Sequence, residues 1–247
     1  MNSLPMYDIV LTEHFKKQLK RLMKGEQRSM SISSLYHHHR SFWNREQVFS
    51  VLSGLLFLSL ALVVKHFSDH YVSNLGGTRV DDLLLNWLPT LDIDFLMIQS
   101  AFLLTLVTGW LFVSKPQYLP FGTKALAIFL IFRSFFVTLT HLGLNPHQFQ
   151  IDDTGGIGFW VYDLLYNSRN DFFFSGHTGI PFLMGLIFWR EKIWRNFFFI
   201  ISFLFGLSVL IAHVHYSIDV FAAPFMTYSI FRLSRALFPK DAQLALP

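Results

Sequence analysis

Two polar clusters interrupt an otherwise apolar chain. One is Ser175-Gly176-His177-Thr178; the other runs Ala212-His213-Val214-His215-Tyr216-Ser217-Ile218-Asp219-Val220. His215 and Asp219 are four residues apart, so on helical backbone they share a face. A carboxylate beside an imidazole fixes its tautomer and supports its positive charge, which a nucleophilic or acid–base histidine needs. Spacing alone favours a plain hydrogen bond, as in many such pairs. Position adds weight, because both clusters lie at the ends of apolar segments, where ionisable groups are costly and tend to be functional. Arg133 is a further charge out of place, inside a third apolar segment. A guanidinium stays ionised and needs an anion, and a phosphate matches its planar fork.

These residue types suit phosphoryl transfer. His215 could attack phosphorus and become a phosphohistidine, with Asp219 orienting it. His177 could protonate the leaving alcohol and then deprotonate the acceptor. Arg133 could hold phosphate oxygens, joined by the backbone amides of Ser175 and Gly176 near a helix N-terminus. His213, Asp171 and Tyr216 flank the set as auxiliary candidates. The rival reading is a metal site on His177, His213 and His215. His213 and His215 are two residues apart, however, and do not face each other on a helix. The chain has no cysteine, which excludes a thiolate nucleophile, a Cys-ligated metal and a disulfide. No metal or other cofactor is expected.

The elements that must carry these residues are membrane helices. Of 247 residues, 52% are hydrophobic, 29 are Phe and only 15% are charged. A soluble domain carries about 25% charged residues. The net charge of +4 does not point to nucleic acid, because the basic residues flank the apolar segments. Six segments reach span length: 48–67, 95–114, 121–141, 172–189, 196–214 and 217–238. Pro181 and Pro224 fall within spans, where neighbouring helices can satisfy the carbonyls they release. The expected fold is therefore all-α: a polytopic membrane protein with six transmembrane helices.

With a cytoplasmic N-terminus, sixteen of the 20 Lys and Arg lie inside, while only Lys65, Arg79 and Arg169 lie outside. Both termini are then cytoplasmic. His177, His215 and Asp219 come to one depth on the periplasmic, extracellular or lumenal face. The organisation reads as a basic cytoplasmic segment 1–45, a six-span catalytic domain 46–239 and a short cytoplasmic tail 240–247. In the first, Ile9, Leu11, Phe15, Leu19 and Leu22 among lysines give either a surface amphipathic helix or a solvated tail. His37, His38 and His39 read as polar linker. No signal peptide is evident, since the first long apolar run starts near residue 47. The outer stretches 68–94 and 142–171 carry turn signals such as Gly76-Gly77, Asp81-Asp82 and Asn145-Pro146. Irregular loops are expected there, with the apolar stretch 83–88 lying on the membrane.

The S-G-H-T of 175–178, followed by the A-H-V-H-Y-S-I-D-V of 212–220, resembles the sphingomyelin synthase family. That family is a branch of the type 2 phosphatidic acid phosphatase superfamily. The likeness covers roughly residues 120–238 and, through the six-span layout, 47–238. The first motif is superfamily-wide; the second is more specific to the synthases. Arg133, with Thr140 and Leu142, resembles the family's upstream arginine motif, although Gly143 stands where a proline would follow. Ser134 replaces the proline of the phosphatase branch and Val209 replaces its arginine; both favour the synthase side. The resemblance implies a phosphatidic acid phosphatase type 2-like helical bundle with a triad of His177, His215 and Asp219. It implies transfer of phosphocholine or phosphoethanolamine from a membrane glycerophospholipid to a lipid alcohol such as ceramide, through a phosphohistidine. Water would compete for the same intermediate, so a lipid phosphate phosphatase or phospholipase C-like hydrolase is the alternative. A dry mouth favours transfer, and the aromatic run 172–174 is consistent with one. A non-catalytic lipid-binding protein is a third reading, weakened by the presence of every triad member.

Overall fold

A polar side chain starts the first long helix among the described residues. Asn44 accepts the Gln47 N–H at 2.9 Å and caps α1, Arg45–Ser73. Its 29 residues make about 43 Å, more than the roughly 30 Å of a bilayer's hydrocarbon core. Phe49, Leu56, Leu60 and Phe67 on this helix are all exposed. A soluble protein could not carry such a surface, whereas lipid requires it. The computed structural model describes residues 42–75, 77–78, 80–140, 142–143, 156–165 and 173–246. The expected amphipathic segment, the histidine run and Asp171 lie outside them.

The later helices are α2 (Asp94–Ser114), α3 (Leu119–Thr140), α4 (Gly156–Leu165), α5 (Gly176–Ile187), α6 (Lys192–Ile211), α7 (Ser217–Leu237) and α8 (Pro239–Ala245). A 3-10 turn, Pro116–Tyr118, leads into α3. Among the described residues there is no strand, only an isolated bridge between Thr78 and Leu142. Helix α1 packs along α3, α2 touches α4, and α5 sits against α6, α7 and α3.

Among the described residues, four helices are long and apolar enough to cross a membrane: Arg45–Ser73, Leu96–Ser114, Pro116–Thr140 and Lys192–Ile211. The two remaining expected spans differ from these. The fourth, at 172–189, contains only 12 residues of α5, about 18 Å. Ser175 caps that helix at one end and Phe188 closes it at the other. Every α5 residue except Phe182 is buried, so the helix faces protein rather than lipid. That setting tolerates its glycines, histidine, threonine and Pro181. Helix α7 has 21 residues, but Asp219, Thr227, Arg232 and Arg235 dilute its apolar character. The stretch 142–171 is not wholly irregular either, since it contains α4. The stretch 83–88 is a turn with Leu85 buried and Leu83 and Trp87 exposed.

Charged residues gather at the end where α1, α3 and α6 begin. Lys124 Nζ donates to Ser50 Oγ at 2.8 Å and to Asp241 Oδ2 at 2.6 Å, and Ser50 Oγ donates to Asp241 Oδ1. Lys115 pairs with Glu191 at 2.7 Å, and Arg190 donates to the Leu246 carbonyl. These contacts tie α8 to the bundle, with Ala245 and Leu246 buried. At the opposite end lie the starts of α5 and α7, where both polar clusters fall.

Candidate active site

The two clusters are joined through backbone. Ser175 precedes α5; its hydroxyl accepts the Thr178 N–H at 3.5 Å and its carbonyl accepts the Gly179 N–H at 2.8 Å. Its own N–H donates to the Asp219 carbonyl at 2.9 Å. The Ser175 amide expected to face phosphate is therefore already engaged. The amides of Gly176 and His177 lie in the first turn of α5, where a helix offers no carbonyl one turn back.

On the other cluster, Asp219 Oδ2 accepts the Tyr216 N–H at 3.1 Å, capping α7, and stands 3.4 Å from His215 Nδ1. The expected pair thus forms at the helix start, with His215 just before α7 and Asp219 in its first turn. Both are buried, as is His177. The rings of His177 and His215 have centroids 5.9 Å apart at 70°, and the Phe205 ring packs against His177 at 6.3 Å.

Arg133 completes the cluster from α3. It is 3% exposed, two turns before the end of its helix, and its Nε donates to the Phe174 carbonyl at 3.2 Å. Phe174 has φ 30°, a left-handed conformation that costs a bulky residue energy. Its ring is fully buried, edge-on to Phe129 at 5.4 Å, so packing holds the turn that aims this carbonyl. A Cβ at Gly176 would lie 3.3 Å from Arg133 Nε and 3.4 Å from Cζ. Glycine is what lets the guanidinium lie against the first turn of α5. A guanidinium, the positive end of a helix and two imidazoles then converge on one spot, a setting chemically suited to a phosphoryl group.

The auxiliary candidates are placed differently. His213 has φ 55° at the bend between α6 and α7. Its Nδ1 is 3.4 Å from Thr90 Oγ1 and its Nε2 3.3 Å from the Leu88 carbonyl, so it anchors the segment between α1 and α2. Tyr216 is buried; its hydroxyl donates to the Gly143 carbonyl at 2.9 Å and accepts the Val80 N–H at 3.5 Å. It ties the segments around Val80 and Gly143 to the start of α7. Among the described residues, no three His, Asp or Glu side chains gather to hold a metal ion.

Two participants escaped the sequence reading. Phe174 contributes a carbonyl, which no side-chain pattern announces. Asp82 reads locally as half of an acidic turn, yet its Oδ2 accepts the Ser217 N–H at 2.7 Å. Burial pushes the Asp82 carboxyl up, but hydrogen bonds from the Ser217, Leu85 and Leu84 amides and the Ser217 hydroxyl outweigh it. The net effect is a value below the usual 3.8.

Comparison with known families finds one match in this region. The family described as PAP2 superfamily C-terminal matches residues 170–236, a stretch that holds His177, His215 and Asp219 but not Arg133. That stretch is similar to the type 2 phosphatidic acid phosphatase superfamily. No curated protein and no solved structure matches the chain.

Proposed function

We propose that this chain is a membrane lipid phosphotransferase. It moves phosphocholine or phosphoethanolamine from a glycerophospholipid to a lipid alcohol such as ceramide. The observation that carries the reading is the His215–Asp219 pair facing His177 beside Arg133 and the start of α5. The family match over 170–236 supports the chemical class, and the H-x-H-Y-S-x-D-V run supports the transferase branch.

With Nδ1 held toward Asp219, His215 presents Nε2 to phosphorus. An N–P bond forms as the bond from phosphorus to the diacylglycerol oxygen breaks, and His177 gives that oxygen its proton. The acceptor alcohol then loses its proton to His177 and attacks phosphorus, and the N–P bond breaks. Arg133 and the Gly176 amide stabilise the oxygens as charge builds on them. Asp219 supports the positive imidazole, and no cofactor enters.

The same reading places six crossings in the membrane, with α5 crossing inside the bundle and α7 as the last span. Both termini are cytoplasmic and the site faces outward. The cluster of Lys115, Lys124 and Arg190 at the opposite end of the bundle supports that orientation. Hydrolysis is the second reading, favoured by the superfamily level of the match.

The deciding experiment supplies purified protein with fluorescent ceramide and either phosphatidylcholine or phosphatidylethanolamine, and separates the products by thin-layer chromatography. A labelled phosphosphingolipid that disappears with His215→Ala establishes transfer and names the headgroup. Donor loss with released phospho-headgroup and unchanged ceramide makes the enzyme a hydrolase. A His215→Ala protein with wild-type turnover ends the nucleophile assignment.

A further inference from the structure

We infer that Asp82 is a positioning residue for the His215–Asp219 pair, gripping the first turn of α7 from the outer segment between α1 and α2. The inference rests on the phosphotransferase reading for its consequence, but its geometry stands apart from the choice of substrate. Asp82 Oδ2 accepts the Ser217 N–H at 2.7 Å, while Oδ1 accepts the Leu84 and Leu85 amides at 3.0 and 3.2 Å. One oxygen thus holds the helix and the other holds the turn that presents it. Ser217 is the first residue of α7, between His215 and Asp219. The Asp219 carbonyl in turn receives the Ser175 amide. A shift of this turn moves the pair and the start of α5 together.

Anchoring of the outer segment does not depend on Asp82. That segment is also held by His213 to Leu88 and Thr90, by the Leu91 N–H to the Ile211 carbonyl at 3.2 Å, and by buried Leu85. The Asp82 contact is therefore redundant for docking the segment and specific for the helix start. It also places a second carboxylate, beside that of Asp219, at the positive end of α7. Asp219 on α7 and His177 on α5 stand against His215.

Two variants test the role in the full chain. Asp82→Asn keeps the shape but removes the charge and sets an amide group against backbone donors. Ser217→Pro removes the donor instead. Proline suits the first helical position, and Tyr216 at φ −68° and ψ 155° already has the conformation that precedes proline. In the ceramide assay both variants should lower kcat by about tenfold or more with KM little changed, as misplacement of reacting groups does. Modification of His215 by diethylpyrocarbonate at one pH, followed by mass spectrometry, gives a readout that needs no substrate. His215 is buried, so loosening the first turn of α7 should speed its modification several-fold in both variants, while His213, which is held by Leu88 and Thr90, keeps its wild-type rate.

A His215 modification rate and a kcat matching wild type in both variants overturn the inference. So does equal acceleration at His215 and His213, which reports general loosening rather than release of one helix start. If Asp82→Asn does not fold, Ser217→Pro decides through the same two readouts. If His215→Ala keeps wild-type turnover, the phosphotransferase reading fails, and the modification rates still decide the role of Asp82.

Discussion

Replacing Asp219 by Asn isolates the charge from the shape. The carboxylate is fully buried, with Oδ2 3.1 Å from the Tyr216 nitrogen and 3.4 Å from His215 Nδ1. An asparagine oxygen can take the Oδ2 position and keep both contacts. Its NH2 then falls where Oδ1 was, a buried atom with no hydrogen-bond partner among the described residues. Burying that donor unsatisfied costs about 1–3 kcal/mol of stability, which a folded bundle can absorb. The catalytic loss is larger. A unit charge 3.4 Å from the imidazole is worth at most about 5 kcal/mol at an effective dielectric near 20. Charge delocalised over the ring and carboxylate reduces this to about 2–4 kcal/mol, or roughly 30- to 1,000-fold in rate. The assay is single-turnover transfer to fluorescent ceramide, with thermal unfolding in the same detergent as the control for folding. The expected result is a monodisperse protein, slightly less stable, with phosphoryl transfer slowed within that range. A rate within about threefold of wild type in a folded Asp219→Asn protein would refute the claim that Asp219 supports a charged His215.

Gly176→Ala separates stability from substrate binding. The new methyl would sit 3.3 Å from Arg133 Nε, so the guanidinium must shift by a few tenths of an ångström. The helix gains at most about 1 kcal/mol in propensity; melting should be unchanged or raised while KM increases several-fold, and an unchanged KM contradicts phosphate binding by Arg133. At the opposite end, Lys124→Ala or Asp241→Ala breaks a pair whose side chains are each 11% exposed. Either should destabilise by up to about 3–5 kcal/mol with turnover per folded molecule unchanged. The double variant should lose less than the two singles together, as a thermodynamic cycle would measure. Asp82 also gives a pH dependence. Its carboxyl is held below 3.8 when folded, so its contribution is fully present above the unfolded value and is lost as pH falls through the folded one. The melting difference between wild type and Asp82→Asn should hold steady above about pH 5 and shrink below about pH 4.

What the sequence makes legible here is local. Long apolar runs announce α1, α2, α3 and α6, because lipid-facing surface has to be apolar residue by residue. The His215–Asp219 pair is legible for a similar reason, since its four-residue spacing and the helix start at Ser217 lie within one short stretch. The length of α5 is less legible. A helix surrounded by α3, α6 and α7 need not be apolar or long, and the apolar residues beside it blur its ends. Least legible are contacts between distant segments. Ser175 looks like a phosphate-binding amide until its N–H is seen to reach the Asp219 carbonyl. Asp82 looks like a turn until Ser217 is beside it.

Strain gives an independent reason to regard this end of the molecule as the working end. Among the described residues, the non-glycine positions with positive φ are Phe174, which immediately precedes the first polar cluster, and His213, which lies within the second. Left-handed backbone at a bulky side chain costs about 1–3 kcal/mol and persists only where surrounding contacts hold it. Those contacts are present in both cases. Phe174 is held by its buried ring and its carbonyl bond to Arg133, and His213 by its ring contacts to Leu88 and Thr90. The first turn brings Arg133 to the start of α5; the second reverses the chain so that His215 meets His177. Relaxing either backbone would separate these groups, so under the proposed phosphotransferase reading the strain holds the site in place before substrate arrives.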